Sequence, residues 1–244
     1  MKAVILAGGY AKRMWPLTKN TPKALLPIKG RPIIEYIIEK INAIEDIDKI
    51  FLSTNQKFEN AFFNWKERYK SLKPIELVVE PSVSEYEKLG SVGALEFVIN
   101  KKDIDDDLLI IAGDNLFEFD LLKFVDFYRE KNSIILGVYD IKKFEDGKRF
   151  GVIELDRKEK ITGFEEKPEK PKSTLISTAI YIIPKELLSL IKEYRESGKH
   201  LDKFGHFIEW LLKKREIFGF VFEEKWFDIG SFEAYKKAEE WNSK

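Results

Sequence analysis

Residues 1–30, MKAVILAGGYAKRMWPLTKNTPKALLPIKG, decide how the rest of the chain is read. Ala3 to Leu6 is a short apolar run that gives way to Ala7, Gly8 and Gly9, the pattern of a buried strand feeding a loop whose backbone can approach a ligand closely. Gly8, Gly9 and the small Ala11 keep side chains out of that approach, so successive backbone N–H groups can turn toward an anion. Lys12, Arg13, Lys19 and Lys23 crowd positive charge around the same point, which makes it a phosphate site by its chemistry. A glycine pair at a strand end is by itself a common turn. The loop also differs from a Walker loop, because no Gly-Lys-Ser/Thr follows the glycines.

Beyond this loop the chain alternates. Pro32 opens a helix whose Ile33, Ile34, Ile37, Ile38 and Ile41 recur at helical spacing. Lys49–Ser53 and Ile75–Val79 read as strands around a helical, aromatic-rich stretch from Phe58 to Tyr69. A polar loop, residues 80–88, precedes a helix from about Val92; Leu108–Ala112 is a buried strand ending in Gly113-Asp114, followed by a helix over Asp120–Lys131 and a strand over Ile134–Val138. This order predicts an α/β fold with a mostly parallel, Rossmann-like central sheet flanked by helices, and ligands at the carboxyl ends of its strands. From Phe150 the rhythm changes. GVIEL, KITGF and LISTAIYII lie close together and predict a small antiparallel insertion, then helices over Pro184–Arg195 and Phe204–Lys214, a strand over Ile217–Phe222, a loop over Trp226–Gly230 and a closing helix capped by Ser231. We expect one domain over residues 1–244: a part to about 140 that carries the phosphate loop, a second part over about 141–230 and the closing helix over 231–242.

Composition narrows the partners. Lys+Arg and Asp+Glu both number 42, so there is no global positive field for nucleic acid. The absence of cysteine excludes disulfides, thiolate chemistry and cysteine-bound zinc. With neither an export-type leader nor a long apolar run, the expectation is a cytoplasmic protein with no membrane partner, and 34% charged residues rich in Lys and Glu point to a thermophile. His200 and His206 read as solvated side chains without partners.

The string LAGGYAKRMWPLTKNTPKALLPI resembles the signature of the sugar-1-phosphate nucleotidylyltransferases, matching its glycine pair, arginine, PLT, PK and LP at the same spacing. Ala11 stands where that family usually has glycine, so a positive φ there would strain the turn. Further segments carry the resemblance along nearly the whole chain: LGSVGAL, IIAGDNLF, FEEKP and WFDIGSFEAYKKA. It implies the nucleotide-diphospho-sugar transferase fold and a reaction in which a sugar 1-phosphate attacks the α-phosphorus of a nucleoside triphosphate and releases pyrophosphate. It implies that Asp114 and Asp228 hold Mg²⁺, that Arg13 and Lys23 meet the triphosphate, and that Leu6, Ala7, Gly8, Gly9, Gly90 and Ser91 hold the nucleotide. Gly151, Glu166 and Lys167 would meet the sugar phosphate with Ser177 and Thr178, although Ser177-Thr178-Ala179 replaces the family's common Asn-Ala-Gly. Counting back from Gly90 reaches Glu85 as the residue beside the base, with Glu80 and Glu87 as competitors in the same loop.

The implied products are those of a glucose-1-phosphate thymidylyl- or uridylyltransferase or a mannose-1-phosphate guanylyltransferase. A carboxylate beside the base accepts from both guanine donors and so favours GTP, while backbone N–H groups near Gly90 would keep UTP or dTTP open. The alternatives are a noncatalytic nucleotide-sugar-sensing subunit of the same fold and a cytidylyltransferase for a non-sugar phosphate. A homodimer or larger assembly is expected, with Phe204, Phe207, Trp210, Tyr235 and Trp241 as candidates for an apolar patch.

Overall fold

The computed structural model describes residues 1–241. Its first half follows the alternation of the sequence: β1 (Lys2–Leu6), β2 (Pro27–Ile28), β3 (Arg31–Pro32), α1 (Ile33–Asn42), β4 (Ile50–Asn55), α2 (Glu59–Lys66), β5 (Ile75–Glu80), α3 (Gly90–Lys102) and β6 (Leu108–Ala112). Next come β7 (Asn115–Phe117), α4 (Leu121–Lys131), β8 (Ile134–Asp140), β9 (Gly151–Leu155), β10 (Ile161–Glu166) and β11 (Leu175–Ile183). The chain closes with α5 (Ser189–Glu196), α6 (Phe204–Leu211), β12 (Ile217–Phe222), β13 (Trp226–Asp228) and α7 (Phe232–Glu239). Among the described residues no helix is long and apolar enough to cross a membrane.

Strands β5, β4, β1 and β6 lie side by side and parallel. These strands are buried on both faces, as in β1, where Ala3 and Ile5 belong to the core shared with α1, α2 and α4 and Val4 to the core shared with α3, α5 and α6. The antiparallel part is fused to this sheet instead of standing apart. β11 runs antiparallel beside β6 along Ile180–Ile183 and meets β9 at Ile176 on that same edge, while β8 lies along its opposite edge; β12 lies parallel to β8, and β10 pairs with β9 at one end of the order. The register of β11 against β8 shifts between Ser177 and Tyr181, a bulge that brings Ala179 to the cavity at the carboxyl end of β6.

Two short pairings, β2 with β3 and β7 with β13, were not expected. Trp226–Asp228, read from the sequence as loop, is a strand paired antiparallel with β7, in register Asp228 opposite Asn115. The closing helix is shorter than its expected span of 231–242: Ser231 caps it by accepting from the Ala234 N–H at 3.2 Å and it ends at Glu239, while residue 242 lies outside the described residues. Three of the five aromatic residues nominated for an assembly surface are used inside the chain. Phe204, Phe207 and Trp241 are buried, the Trp241 indole N–H donates to Glu118 at 3.0 Å, and the Tyr235 hydroxyl donates to the Pro27 carbonyl at 2.6 Å. Phe204, Phe207 and Trp241 therefore supply core, while Trp210 and Tyr235 stay partly exposed.

Candidate active site

A cavity of about 390 Å³ opens at the carboxyl ends of β1, β5 and β6. β6 can end close enough to β1 because Gly113 has no side chain: a Cβ there would stand 3.1 Å from the Ala7 Cβ, and the Gly113 N–H donates to Leu6 at 2.9 Å. The glycine loop is held from below by Asn55, whose amide donates to the Gly8 carbonyl at 2.8 Å. Lys12–Met14 then forms a single 3₁₀ turn in which Met14 is buried, leaving Lys12 and Arg13 exposed at the cavity. Leu6, Ala7, Gly8, Gly9, Arg13, Lys23, Glu85, Gly90, Ser91 and Asp114 all line it, so the residues expected around a nucleotide converge.

Ala11 does adopt the left-handed conformation, φ 46° and ψ 41°, with its carbonyl accepting from Thr18 Oγ1 at 2.7 Å. Ala179, in the β11 bulge, sits at φ 58°. Both alanines line the cavity, and both stand where the family resembled has glycine. Alanine at positive φ is strained, whereas glycine relieves that strain but gives the unfolded chain more freedom. Ala11→Gly is accordingly expected to leave stability unchanged or to raise it by up to about 1 kcal/mol, unlike an ordinary helical Ala→Gly change, which costs about 1 kcal/mol. Urea unfolding of the variant checks this; a clear loss would mean that the turn does not strain Ala11.

The β7–β13 pairing explains how two carboxylates distant in sequence meet. It sets Asp228 beside the chain after Asp114, and the Ile229 N–H donates to the Asp114 carbonyl at 3.0 Å. Burial, and then the neighbouring Asp114, push the Asp228 carboxyl up to about 6, against the pull of Lys23, Arg149 and Arg13. The Lys23 ammonium forms a close ion pair with Asp114. Among the described residues no cluster of three or more His, Cys, Asp or Glu could hold a metal alone. Two repelling carboxylates held by an ammonium do fit a hard cation that completes its shell with phosphate oxygens and water. Arg149, which sequence reasoning missed, joins this cluster through the turn before β9.

For the base, the structure separates the three acids. Glu80 at the end of β5 is 2% exposed, and a Cβ on Gly8 would lie 3.3 Å from its Oε1, so its carboxylate sits against the glycine loop. Ser82 Oγ donates to it at 2.9 Å, and burial raises its pKa. Glu85 instead reaches across the mouth to Lys12 at 2.8 Å, and Glu87 accepts from the Val83 N–H at 3.0 Å within its own loop. The count back from Gly90 thus leads to the acid at the mouth, while Glu80 lies deeper, at the strand's end, and both line the cavity.

On the sugar side, Ala179, Tyr181, Asp202 and Phe204 enter the cavity. Thr178, expected to face a sugar, does not: it is 1% exposed and its hydroxyl donates to the Gly137 carbonyl at 2.9 Å, so it serves the sheet. Ser177 Oγ lies 3.4 Å from the Tyr181 hydroxyl. Gly151 is required by its neighbour, since a Cβ there would stand 2.3 Å from the Phe164 ring. Glu166 is largely buried, which raises its pKa against the pull of Lys167, Lys203 and His206. Trp226 packs against Tyr139 and Phe150 and donates to Asn115, a wall residue as its sequence context suggests. Asp202, also missed, closes the two halves together: its carbonyl accepts from Ser91 Oγ at 3.0 Å, and its carboxylate pairs with Lys88 at 2.9 Å. Gly90, at φ 78°, permits this, because a Cβ would collide with Asp202 Cα at 2.5 Å.

The family described as "Nucleotidyl transferase" matches residues 2–243. The "Bifunctional protein GlmU" of Methanocaldococcus jannaschii is 33% identical over 94% of this chain and 51% of its own length. A protein of Sulfolobus acidocaldarius provisionally named a mannose-1-phosphate guanyltransferase is 32% identical over 94% of this chain and 60% of its own. The chain thus spans between half and two thirds of these curated relatives. A solved structure from Bacillus anthracis, provisionally a glucose-1-phosphate thymidylyltransferase and in complex with a sucrose, superposes with a TM-score of 0.84 at 27% identity, covering 98% of this chain and 94% of that one. With a cavity built from the glycine loop, its basic turn and the strand-end carboxylates, and with the match over nearly its whole length, the chain belongs to the nucleotidyl transferase family.

Proposed function

We propose that this chain transfers a nucleotidyl group from a nucleoside triphosphate to a sugar 1-phosphate. The observation that carries the reading is the single cavity that joins the glycine loop, Arg13 and Lys23 to Asp114 and to the sugar-side residues Tyr181, Asp202 and Phe204. An oxygen of the sugar phosphate attacks the α-phosphorus, the bond from that phosphorus to the bridging oxygen breaks, and pyrophosphate leaves. The nucleophile is a phosphate already ionised near neutral pH, its second pKa being about 6, so no general base is needed. Catalysis then reduces to alignment and charge stabilisation. Arg13 would hold the departing pyrophosphate, Lys23 the α and β phosphates, and Lys167 the attacking phosphate. Asp114 and Asp228 would hold Mg²⁺, which when bound offsets charge on the phosphates.

Glu80, buried under Gly8, is the acid we place against the base. As a carboxylate it accepts from both the N1–H and the 2-amino group of guanine, whereas the carboxamide of Gln both donates and accepts, which suits uracil or thymine. The test is pyrophosphate release from GTP, UTP and dTTP against glucose, mannose and an aminosugar 1-phosphate, in wild type, Glu80→Gln and Glu85→Gln. Glu80→Gln is expected to lower the kcat/KM ratio of GTP over UTP about tenfold, one hydrogen bond's worth, with Glu85→Gln leaving it unchanged. The reverse pattern would return the base to Glu85, and release of no pyrophosphate from any pair would refute the activity.

A further inference from the structure

Glu209, on α6, lies outside the residues that line the cavity, yet it grips the segment that carries Lys167. β10 ends the sheet order, so its outer edge offers backbone N–H groups that no neighbouring strand can take. The Glu166 N–H on this strand donates to Glu209 Oε1 at 2.8 Å. The other oxygen of Glu209 lies 3.1 Å from His206 Nδ1, which corrects the reading of His206 as a side chain without a partner. The next residue, Lys167, holds φ 53°, a left-handed conformation uncommon for lysine, and its own N–H donates to the Phe150 carbonyl at 2.9 Å. Two consecutive amides are therefore pinned from two sides, one by β9's approach and one by α6. α6 comes this close because residue 205 is glycine: a Cβ there would stand 2.1 Å from Glu166 Oε2.

A strained backbone persists where its surroundings over-determine it, and such outliers gather at ligand clamps. We propose that Glu209 is a positioning residue for the sugar-phosphate subsite, its carboxylate, steadied by His206, holding the Glu166 amide so that Lys167 keeps the left-handed turn that directs its ammonium. The inference rests on the reading of Lys167 given under Proposed function. A charged acceptor on a backbone N–H is the strong kind of hydrogen bond, and a side chain 35% exposed has little apolar surface to lose, so its removal acts on position more than on folding.

The test compares Glu209→Ala, Glu209→Gln and His206→Ala with wild type by amide exchange in the substrate-free protein and by steady-state kinetics. In Glu209→Ala the Glu166 amide is expected to exchange faster and KM for the sugar 1-phosphate to rise about tenfold, with KM for the nucleotide unchanged. Glu209→Gln, whose carbonyl can accept the same N–H, should recover both, and His206→Ala should show a smaller effect in the same direction. Unchanged exchange at Glu166, or both KM values rising together with a lower Tm, would overturn the clamp. Faster exchange with an unchanged sugar-phosphate KM would overturn its role in positioning while leaving the proposed reaction intact. A wild-type protein that turns over no sugar 1-phosphate would instead defeat the reaction, and the positioning role with it.

Discussion

Asp228→Asn is expected to lower turnover by about 10³-fold and yet to leave the fold as stable as wild type or more stable. The first half follows from the proposed role of this carboxylate, with Asp114, in holding Mg²⁺ against the phosphates. The second half follows from burial. The folded carboxyl is raised to about 6 from the ordinary 3.8, so the native state binds this proton more tightly than the unfolded chain does. Stability from this group is then full below about pH 4 and is lost as pH rises toward about 6, with an upper bound of about 3 kcal/mol at neutral pH. Asparagine keeps the shape and removes that loss. Thermal unfolding without added metal should therefore show wild type falling relative to Asp228→Asn between pH 4 and 7, while initial rates show the variant almost inactive. A variant that unfolds well below wild type at pH 7, or that keeps its rate, would overturn the assignment.

This carboxylate pair also shows where sequence reading stops. Strands β6, β11 and β12 were legible to the residue, because continuous apolar runs bounded by Gly, Pro or charge leave the backbone little choice. The three-residue partners β7 and β13 were not, since Asn115–Phe117 and Trp226–Asp228 form strands only by pairing with each other across more than a hundred residues. The motif match nominated Asp114 and Asp228 without showing what brings them together. The depth of the loop's acids was illegible for a similar reason: spacing from Gly90 measures chain, whereas the loop between β5 and α3 folds back on itself through Glu87 and Val83, which leaves Glu80 buried and Glu85 at the mouth. Thr178 was carried over from its place in the motif, which does not register the bulge: the shift between Ser177 and Tyr181 sends its hydroxyl to Gly137 while Ala179 lines the cavity. Side chains that work through another element's backbone, such as Glu209 on the Glu166 amide, leave no local pattern at all.

Lys23→Met is expected to separate two roles that one ammonium plays. In the free protein Lys23 pairs with Asp114 and lowers the pKa of Asp228, partly neutralising two carboxylates that repel each other. Methionine preserves much of the stem's volume and removes only the charge. With no competing ammonium, Mg²⁺ should bind the nucleotide-free variant more tightly than wild type, by about tenfold if the pair is worth what a half-buried charge interaction usually is. Turnover should move the other way and fall about 10²-fold, near 3 kcal/mol, because the positive charge that meets the phosphates in the transition state is gone. Calorimetric titration of Mg²⁺ and single-turnover rates at saturating Mg²⁺ measure the two effects independently. If Lys23 were only a structural counter-ion to Asp114, saturating metal would replace it and the rate would return. A rate that stays low under saturating metal, beside a tighter metal site, is the outcome that places Lys23 on the phosphates.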